Sequence, residues 1–300
     1  MILAVAVLGG TALFEQHPEP TDALQPTPPG SVIGDERTAD PCALIDENQL
    51  RQFGSVKVVT TYGNFNRCDA LIDVGAKRPV DVEVQLITRA SRVVQGRPLE
   101  VVKSAHNDSE CDRTVVVDDE YAVRVTAKLH NPPADLCTVA TVATDTVLTV
   151  LRNGSIPRRA GPFPDDSLAH ANACTLLDST TLVTVAAVDI DSAVNVFGNW
   201  ACKWFSSVGG LGINVRFDQH PAQEKVNGEL VHLGGHAAYV WLDPDSNNKC
   251  TVSVPHRPPT SAPRAHIDVV VLTVEGDRPG AEYCPRAENL AAVAAQKLPS

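Results

Sequence analysis

The sequence predicts an α+β protein made of two similar halves, each an antiparallel sheet with flanking N- and C-terminal helices. Three observations support this fold class. The eight cysteines form two groups of four with similar spacing. Residues 80–86 alternate between apolar and polar side chains, as a strand with one buried face does. Helical segments open and close each half, which is typical of α+β domains.

The composition excludes several other classes of protein. Of the 300 residues, 43% are hydrophobic and 20% are charged, which is close to the globular average and argues against disordered and fibrous chains. The formal net charge of −11 argues against a nucleic-acid partner, because phosphate binding requires clustered positive charge.

Residues 1–14 are apolar throughout and are interpreted as part of a membrane anchor or signal segment. A helix of this length rises about 21 Å, which is short of the roughly 30 Å hydrocarbon core. The segment has no basic residues and no lipobox cysteine, so we expect the beginning of the anchor to lie upstream. The alternative is a buried N-terminal strand or helix.

Residues 15–39 are rich in proline and poor in large apolar side chains, so they predict an extended linker. Such a linker would act as a stalk that holds the folded part away from a membrane.

The cysteine pattern predicts an internal duplication. The cysteines lie at Cys42, Cys68, Cys111, Cys137, Cys174, Cys202, Cys250 and Cys284. Successive intervals are 26, 43 and 26 residues in the first group and 28, 48 and 34 in the second. The sequence around each cysteine also resembles that around its counterpart. We therefore predict two homologous domains at 40–153 and 168–300, joined by a proline-containing linker at 154–167.

The first half predicts a helix up to residue 53, capped by Asp40 or Asp46, and a closing helix over 136–152. The strands between them are predicted at 56–61, 67–74, 80–86, 115–117 and 121–129, and 93–104 is left as a helix or a loop.

The second half repeats this order. Helices are predicted over 175–188 and 285–297, and strands at 200–206, 213–217, 238–242, 250–254 and 267–274. Trp200, Cys202 and Trp204 would share one strand face and form a core cluster.

The cysteines are interpreted as disulfides rather than as zinc ligands, catalytic thiols or buried apolar side chains. Zinc sites use close pairs such as C-x₂-C, and no two of these cysteines are closer than 26 residues. Separate domains allow three pairings in each half. We expect the pairs Cys42–Cys68, Cys111–Cys137, Cys174–Cys202 and Cys250–Cys284, each of which would join a helix to a strand, in an oxidising compartment.

The segment Asp40-Pro41-Cys42-Ala43-Leu44-Ile45 resembles the DPC-x-L-L opening of a family of small actinobacterial secreted proteins and lipoproteins of unknown function. The Cys202-Lys203-Trp204 segment is similar to the C-x-W strand of that family. The resemblance covers each half separately and implies a location in the cell envelope. It implies no chemistry and no catalytic residues.

No catalytic, cofactor or metal residues are predicted. His232 and His236 flank Gly234-Gly235, which favours a turn between strands over a helical metal pair. Residues 243–247 resemble the start of a calcium loop, but Asn248 and Val254 replace its glycine and glutamate, so a hairpin loop is preferred. Residues 118–120 are predicted to form a solvated hairpin tip. A Ser–His–Asp triad of a hydrolase is still an alternative, because serine, histidine and aspartate are frequent in the sequence.

The leading hypothesis is a membrane-tethered, extracytoplasmic binding or scaffold protein of the bacterial cell envelope, without enzymatic activity. Its partner would be an envelope protein, a lipid or a small ligand, held in a cleft between the two domains. The alternatives are a cell-envelope hydrolase and the ectodomain of a sensor.

Overall fold

The computed structural model describes residues 32–89, 96–104, 107–129, 135–185, 188–190, 193–221, 228–242, 247–256 and 266–298. The fold is α+β, and all strand pairs in it are antiparallel. The helices are α1 (Glu47–Leu50), α2 (Leu136–Arg152), α3 (Ser179–Leu182) and α4 (Cys284–Gln296). The strands are β1 (Ser55–Val59), β2 (Gly63–Asn64), β3 (Arg67–Asp73), β4 (Val80–Thr88), β5 (Val101–Lys103), β6 (Glu110–Val116), β7 (Tyr121–Lys128), β8 (Val194–Asn195), β9 (Ala201–Phe205), β10 (Gly212–Pro221), β11 (Glu229–Leu233), β12 (His236–Leu242), β13 (Lys249–His256) and β14 (His266–Glu275).

The first sheet has the strand order β1-β3-β4-β7-β6-β5. Its central strand β4 alternates as the sequence predicts: Val80, Val82 and Val84 are fully buried, whereas Asp81 and Glu83 lie on the other face. The helix α2 packs on β6 and β7. It follows that the sheet has one apolar face under a helix and one polar face.

The second sheet has the order β8-β9-β10-β14-β13-β12-β11, and α4 packs on β13 and β14. The short strand β2 of the first half also joins this sheet, because Gly63 and Asn64 pair with Gln219 and Asp218 of β10. Backbone pairing therefore connects the two halves. Gly63 has a φ of 72°, and a Cβ at this position would lie 3.0 Å from the Arg67 guanidinium carbon.

The structure contains four disulfides and, among the described residues, no free cysteine. The pairs are Cys42–Cys68, Cys111–Cys137, Cys174–Cys202 and Cys250–Cys284, which coincide with those expected from the spacing. Each disulfide joins a helical segment to a strand. Each closes a loop of 26–34 residues and contributes about 3–4 kcal/mol in the chain-entropy model.

An aromatic cluster forms part of the contact between the halves. Phe65 lies 5.4 Å from Trp200 and 5.2 Å from Phe163, measured between ring centroids, and Tyr121 lies 5.8 Å from Phe197. Phe163 belongs to the segment between the halves. One continuous core therefore extends through both halves, and Trp200, Cys202 and Trp204 all lie in it, as predicted.

Part of the predicted helical structure is wrong. The helix expected over 175–188 is reduced to a 3-10 turn and α3, because Asn172 and Asp178 each cap a separate short helix. The β-branched residues between 180 and 185 also disfavour a longer helix. The opening helix near residue 53 is likewise split into short turns capped by Asp40 and Asp46.

The N-terminal segment expected at 1–14 and most of the linker at 15–39 lie outside the described residues. Within the part that is described, none of the helices is long and apolar enough to cross a membrane.

Candidate functional site

A cleft of about 620 Å³ lies between the two halves. Its walls are the polar faces of the two sheets, opposite the faces that carry α2 and α4. The first half contributes residues of β2, β3, β4 and β7, and the second contributes residues of β9, β10, β12, β13 and β14. The volume falls within the range of about 300–1,000 Å³ that is typical of small-molecule sites.

The wall formed by the first sheet is a network of ion pairs. Arg67 donates to both carboxylate oxygens of Asp69, at 2.6 and 2.7 Å, and lies 2.9 Å from Glu83. Lys128 contacts Glu83 and lies 3.7 Å from Asp81. Three carboxylates face two cations on this wall, and both cations are engaged by them.

Burial perturbs the acids of this wall. Burial, together with the negative charge of Asp69, raises the pKa of Asp81 to about 6. Burial also raises the pKa of Asp69, although Arg67 acts in the opposite direction. Burial alone would lower the pKa of Lys128, but the attraction of Glu83 outweighs it, so the pKa is raised. The Oδ1 atom of Asp81 is buried without a hydrogen-bond partner.

Asp69, Asp81 and Glu83 bring carboxylate oxygens within 4.8 Å of one another, which is a spacing that a metal ion could use. Arg67 and Lys128 already neutralise these carboxylates. Because a bound cation would have to displace two ion-paired side chains, this cluster is best described as a structural network.

The wall formed by the second sheet differs in its charge. Asn214, Arg216, Asp218 and His220 alternate along one face of β10, and Lys203 lies opposite Asn214 on β9. Asp218, which is 5% exposed, accepts a hydrogen bond of 2.9 Å from Nε of Arg216. Two cations face one carboxylate on this wall.

No family model, curated protein or solved structure matches the chain. The site is therefore interpreted from its own geometry.

The candidate residues from the sequence lie away from the cleft. The eight cysteines form the disulfides between helical segments and strands and do not line it. His232 and His236 flank the β11–β12 turn, where Gly234 and Gly235 have φ values of 57° and 88°, as a tight hairpin requires. This confirms the predicted turn.

The other candidate loops add no site. Residues 118–120 form the predicted tip of the β6–β7 hairpin, where Oδ1 of Asp118 accepts from two backbone N–H groups. Residues 243–246 of the calcium-like segment lie outside the described residues.

Among the residues that the structure describes, the cleft does not bring a serine and a histidine together. Ser253 is in register with Val271 and Arg216, whereas His220 lies four residues further along β10. Two strand spacings and four residues separate them by roughly 10 Å across and 13 Å along the sheet. Elsewhere, Ser167 donates to Asp268 at 2.7 Å, but this carboxylate also caps the backbone at Leu168. Neither arrangement is a nucleophile activated by a base.

Sequence reasoning missed the cleft residues. Arg67-x-Asp69 and Arg216-x-Asp218 each place a cation and an acid on one face of a strand. Such a spacing of opposite charges within an otherwise alternating strand is the signal that could have identified the polar walls.

Proposed function

We propose that this protein is an extracytoplasmic binding protein of the cell envelope that holds a small polar ligand in the cleft between its halves. The observation that carries the proposal is the cleft itself: both sheets turn their polar faces toward it, and both supply charged side chains. A concave surface with a few convergent polar groups is the usual form of a small-molecule site.

Four disulfides support the extracytoplasmic location, because such bonds persist in oxidising compartments. The apolar residues 1–14 and the proline-rich part of the linker at 15–39 that precedes residue 32 would tether the folded part to a membrane, whereas residues 32–39 pack on the fold, with Ile33 buried and Arg37 hydrogen-bonded to the second half. The resemblance of the DPC-x-L-L opening to secreted actinobacterial proteins agrees with this location.

We further propose that the two halves arose by tandem duplication. The strand order of the first sheet has the same pattern as that of β8-β9-β10-β14-β13-β12 in the second. Disulfides also occupy matching places, with Cys68 and Cys202 on the second strand of each order and Cys111 and Cys250 on the fifth.

The strand register supports the duplication independently. Across the first sheet, Cys68 is in line with Val84, Val125 and Arg113. Across the second, Cys202 is in line with Val215, Leu272 and Val252. In each half, the line ends two residues after the strand cysteine of that half's second disulfide. The cysteines therefore occupy the same register positions in both sheets. If the two copies of a duplicated fold face each other, a cleft forms between them.

The test is a thermal-shift screen with carboxylates, sugar acids, sugar phosphates, neutral sugars, amino acids and polyamines. Gln85→Trp adds a bulky ring to the cleft wall, and Gln52→Trp makes the same change at an exposed helix position. We expect at least one compound class to raise the melting temperature of the wild type and of Q52W but not of Q85W.

Two results would contradict the proposal. One is a screen in which no compound raises the melting temperature of the wild type. The other is a Q85W protein that melts as a folded protein and responds as the wild type does.

A further inference from the structure

The second-sheet wall presents two cations that are positioned to act together. Lys203 pairs with Asn214 and Arg216 with Ala201 on the adjacent strands β9 and β10, so Lys203 and Arg216 are diagonal neighbours on the same face. Diagonal neighbours in a sheet lie about 7–8 Å apart at the backbone, within reach of long side chains. Both side chains can therefore contact one anionic group.

Both cations keep N–H donors that no acidic side chain among the described residues occupies. Lys203 is exposed, and among the described residues no acidic side chain pairs with it. Asp218 engages Arg216 through Nε, which fixes the guanidinium and leaves its two terminal nitrogens as donors. Arg67 is the internal comparison: it has the same Arg-x-Asp spacing, but Asp69 and Glu83 occupy its donors.

Local charge therefore differs from the charge of the whole chain. The net charge of −11 opposes anions at long range, yet this part of the cleft carries two cations against one carboxylate. An anion in direct contact with both side chains lies within the screening length of about 8 Å at physiological ionic strength. An anion would gain its binding energy at this wall.

The same wall offers an aromatic surface and an unused acceptor. Trp241 lines the cleft on β12 and is in register with Asn214 of β10 through Thr251 and Thr273, about 14 Å away at the backbone. Two residues further along the same face, Val271 and Ser253 line the cleft in register with Arg216. Asn214 also lines the cleft, and its buried Oδ1 has no hydrogen-bond partner among the described residues.

We propose that the cleft takes a small sugar-like anion, whose carboxylate or phosphate lies against Lys203 and Arg216 and whose ring lies against Trp241. This inference rests on the proposed binding function and adds the chemical class of the ligand. A neutral ring would leave Lys203 and the terminal nitrogens of Arg216 without an anionic partner in the cleft, whereas a charge-assisted contact to each is about twice as strong as a neutral hydrogen bond.

The test is isothermal titration of the full chain with glucuronate, glucose 6-phosphate and glucose, which share a pyranose ring and differ in charge. We expect at least one of the two acids to bind at least tenfold more tightly than glucose. Which acid binds distinguishes a carboxylate from a phosphate ligand.

Variants locate the contact. Lys203→Gln is expected to weaken binding of the preferred acid by about tenfold, equivalent to loss of one charge-assisted contact, and Lys203→Glu by more. Because Lys203 is exposed and no acidic side chain of the described residues pairs with it, both proteins should fold. Lys57→Gln, on the exposed part of β1, is the matched control and should bind as the wild type does. Trp241→Ala should weaken the binding of both acids.

The inference is overturned if glucose binds as tightly as the acids, if K203Q and K203E bind as the wild type does, or if none of the three compounds binds. In each case the proposed function is judged separately, by whether another compound class stabilises the wild type and Q52W but not Q85W.

Discussion

Replacing Asp81 with asparagine should stabilise the protein at neutral pH and have little effect in acid. Asp81 lies on the first-sheet wall with its side chain 19% exposed, 3.7 Å from Lys128 and near the carboxylate of Asp69. Burial and Asp69 raise its pKa to about 6 from an ordinary value of 3.8. The folded protein therefore binds this proton more tightly than the unfolded chain does.

The sign and the size of the effect follow from this difference. The protonated carboxyl favours folding below about pH 4, and this contribution is lost as the pH rises through about 6. Full ionisation corresponds to about 3 kcal/mol from the two pKa values, and the partial exposure of the side chain reduces the expectation to about 1–3 kcal/mol. Asparagine carries no charge, so D81N does not lose unfolding free energy as the pH rises in the way that Asp81 does.

The assay is urea unfolding of the wild type and D81N, with disulfides intact, at several pH values from 4 to 8. We expect the difference in unfolding free energy, D81N minus wild type, to grow by about 1–3 kcal/mol over this range. Asp119→Asn, at an exposed hairpin tip, is the control and should change stability by less than about 0.5 kcal/mol. A difference that is constant or falls with pH would refute the reasoning.

Two further predictions concern the contact between the halves, and a third concerns a disulfide within the first half. Trp200→Ala removes a side chain that is 1% exposed and donates to the carbonyl of Ala169, so we expect a loss of about 3–5 kcal/mol in urea unfolding. Arg37→Ala removes hydrogen bonds of 3.0–3.1 Å to three carbonyls of the second half and should lower the free energy of unfolding by about 1–3 kcal/mol. The control is Arg51→Ala, which removes an exposed ion pair and should lower it by less than about 1 kcal/mol. Replacing Cys42 and Cys68 together by alanine should cost about 3–4 kcal/mol. If Trp200→Ala is neutral, or if Arg37→Ala and Arg51→Ala are equal, the shared core is not what holds the halves together.

The strands with one buried face could be predicted from sequence, because their pattern is local. β4 alternates between valine and polar side chains, and α2 was placed at the bounds that the structure shows. The disulfide pairs followed from the spacing, since each joins neighbouring elements. The short helices after Cys42 and Cys174 could not be placed as well, because capping by single asparagine and aspartate side chains decides where they break.

The residues that line the cleft could not be predicted, because they are brought together by contacts between distant segments. The pairing of Asn64 with Asp218 and the packing of Phe65 on Trp200 join residues that are more than 100 positions apart in sequence. Lys203 and Arg216 read as ordinary exposed charges in the sequence. Their significance comes from the strand register, which places them side by side, and from Asp218, which orients one of them.

The most direct test of the central claim, that the ligand lies in the cleft between the halves, is ¹⁹F NMR of the protein labelled with 5-fluorotryptophan. The chain has three tryptophans, of which Trp200 and Trp204 are buried and Trp241 lines the cleft. Titration with the acid that binds most tightly should shift the Trp241 resonance in a saturable manner and leave the other two in place. A bound acid that leaves Trp241 unchanged, or that shifts Trp200 or Trp204 instead, would contradict the account.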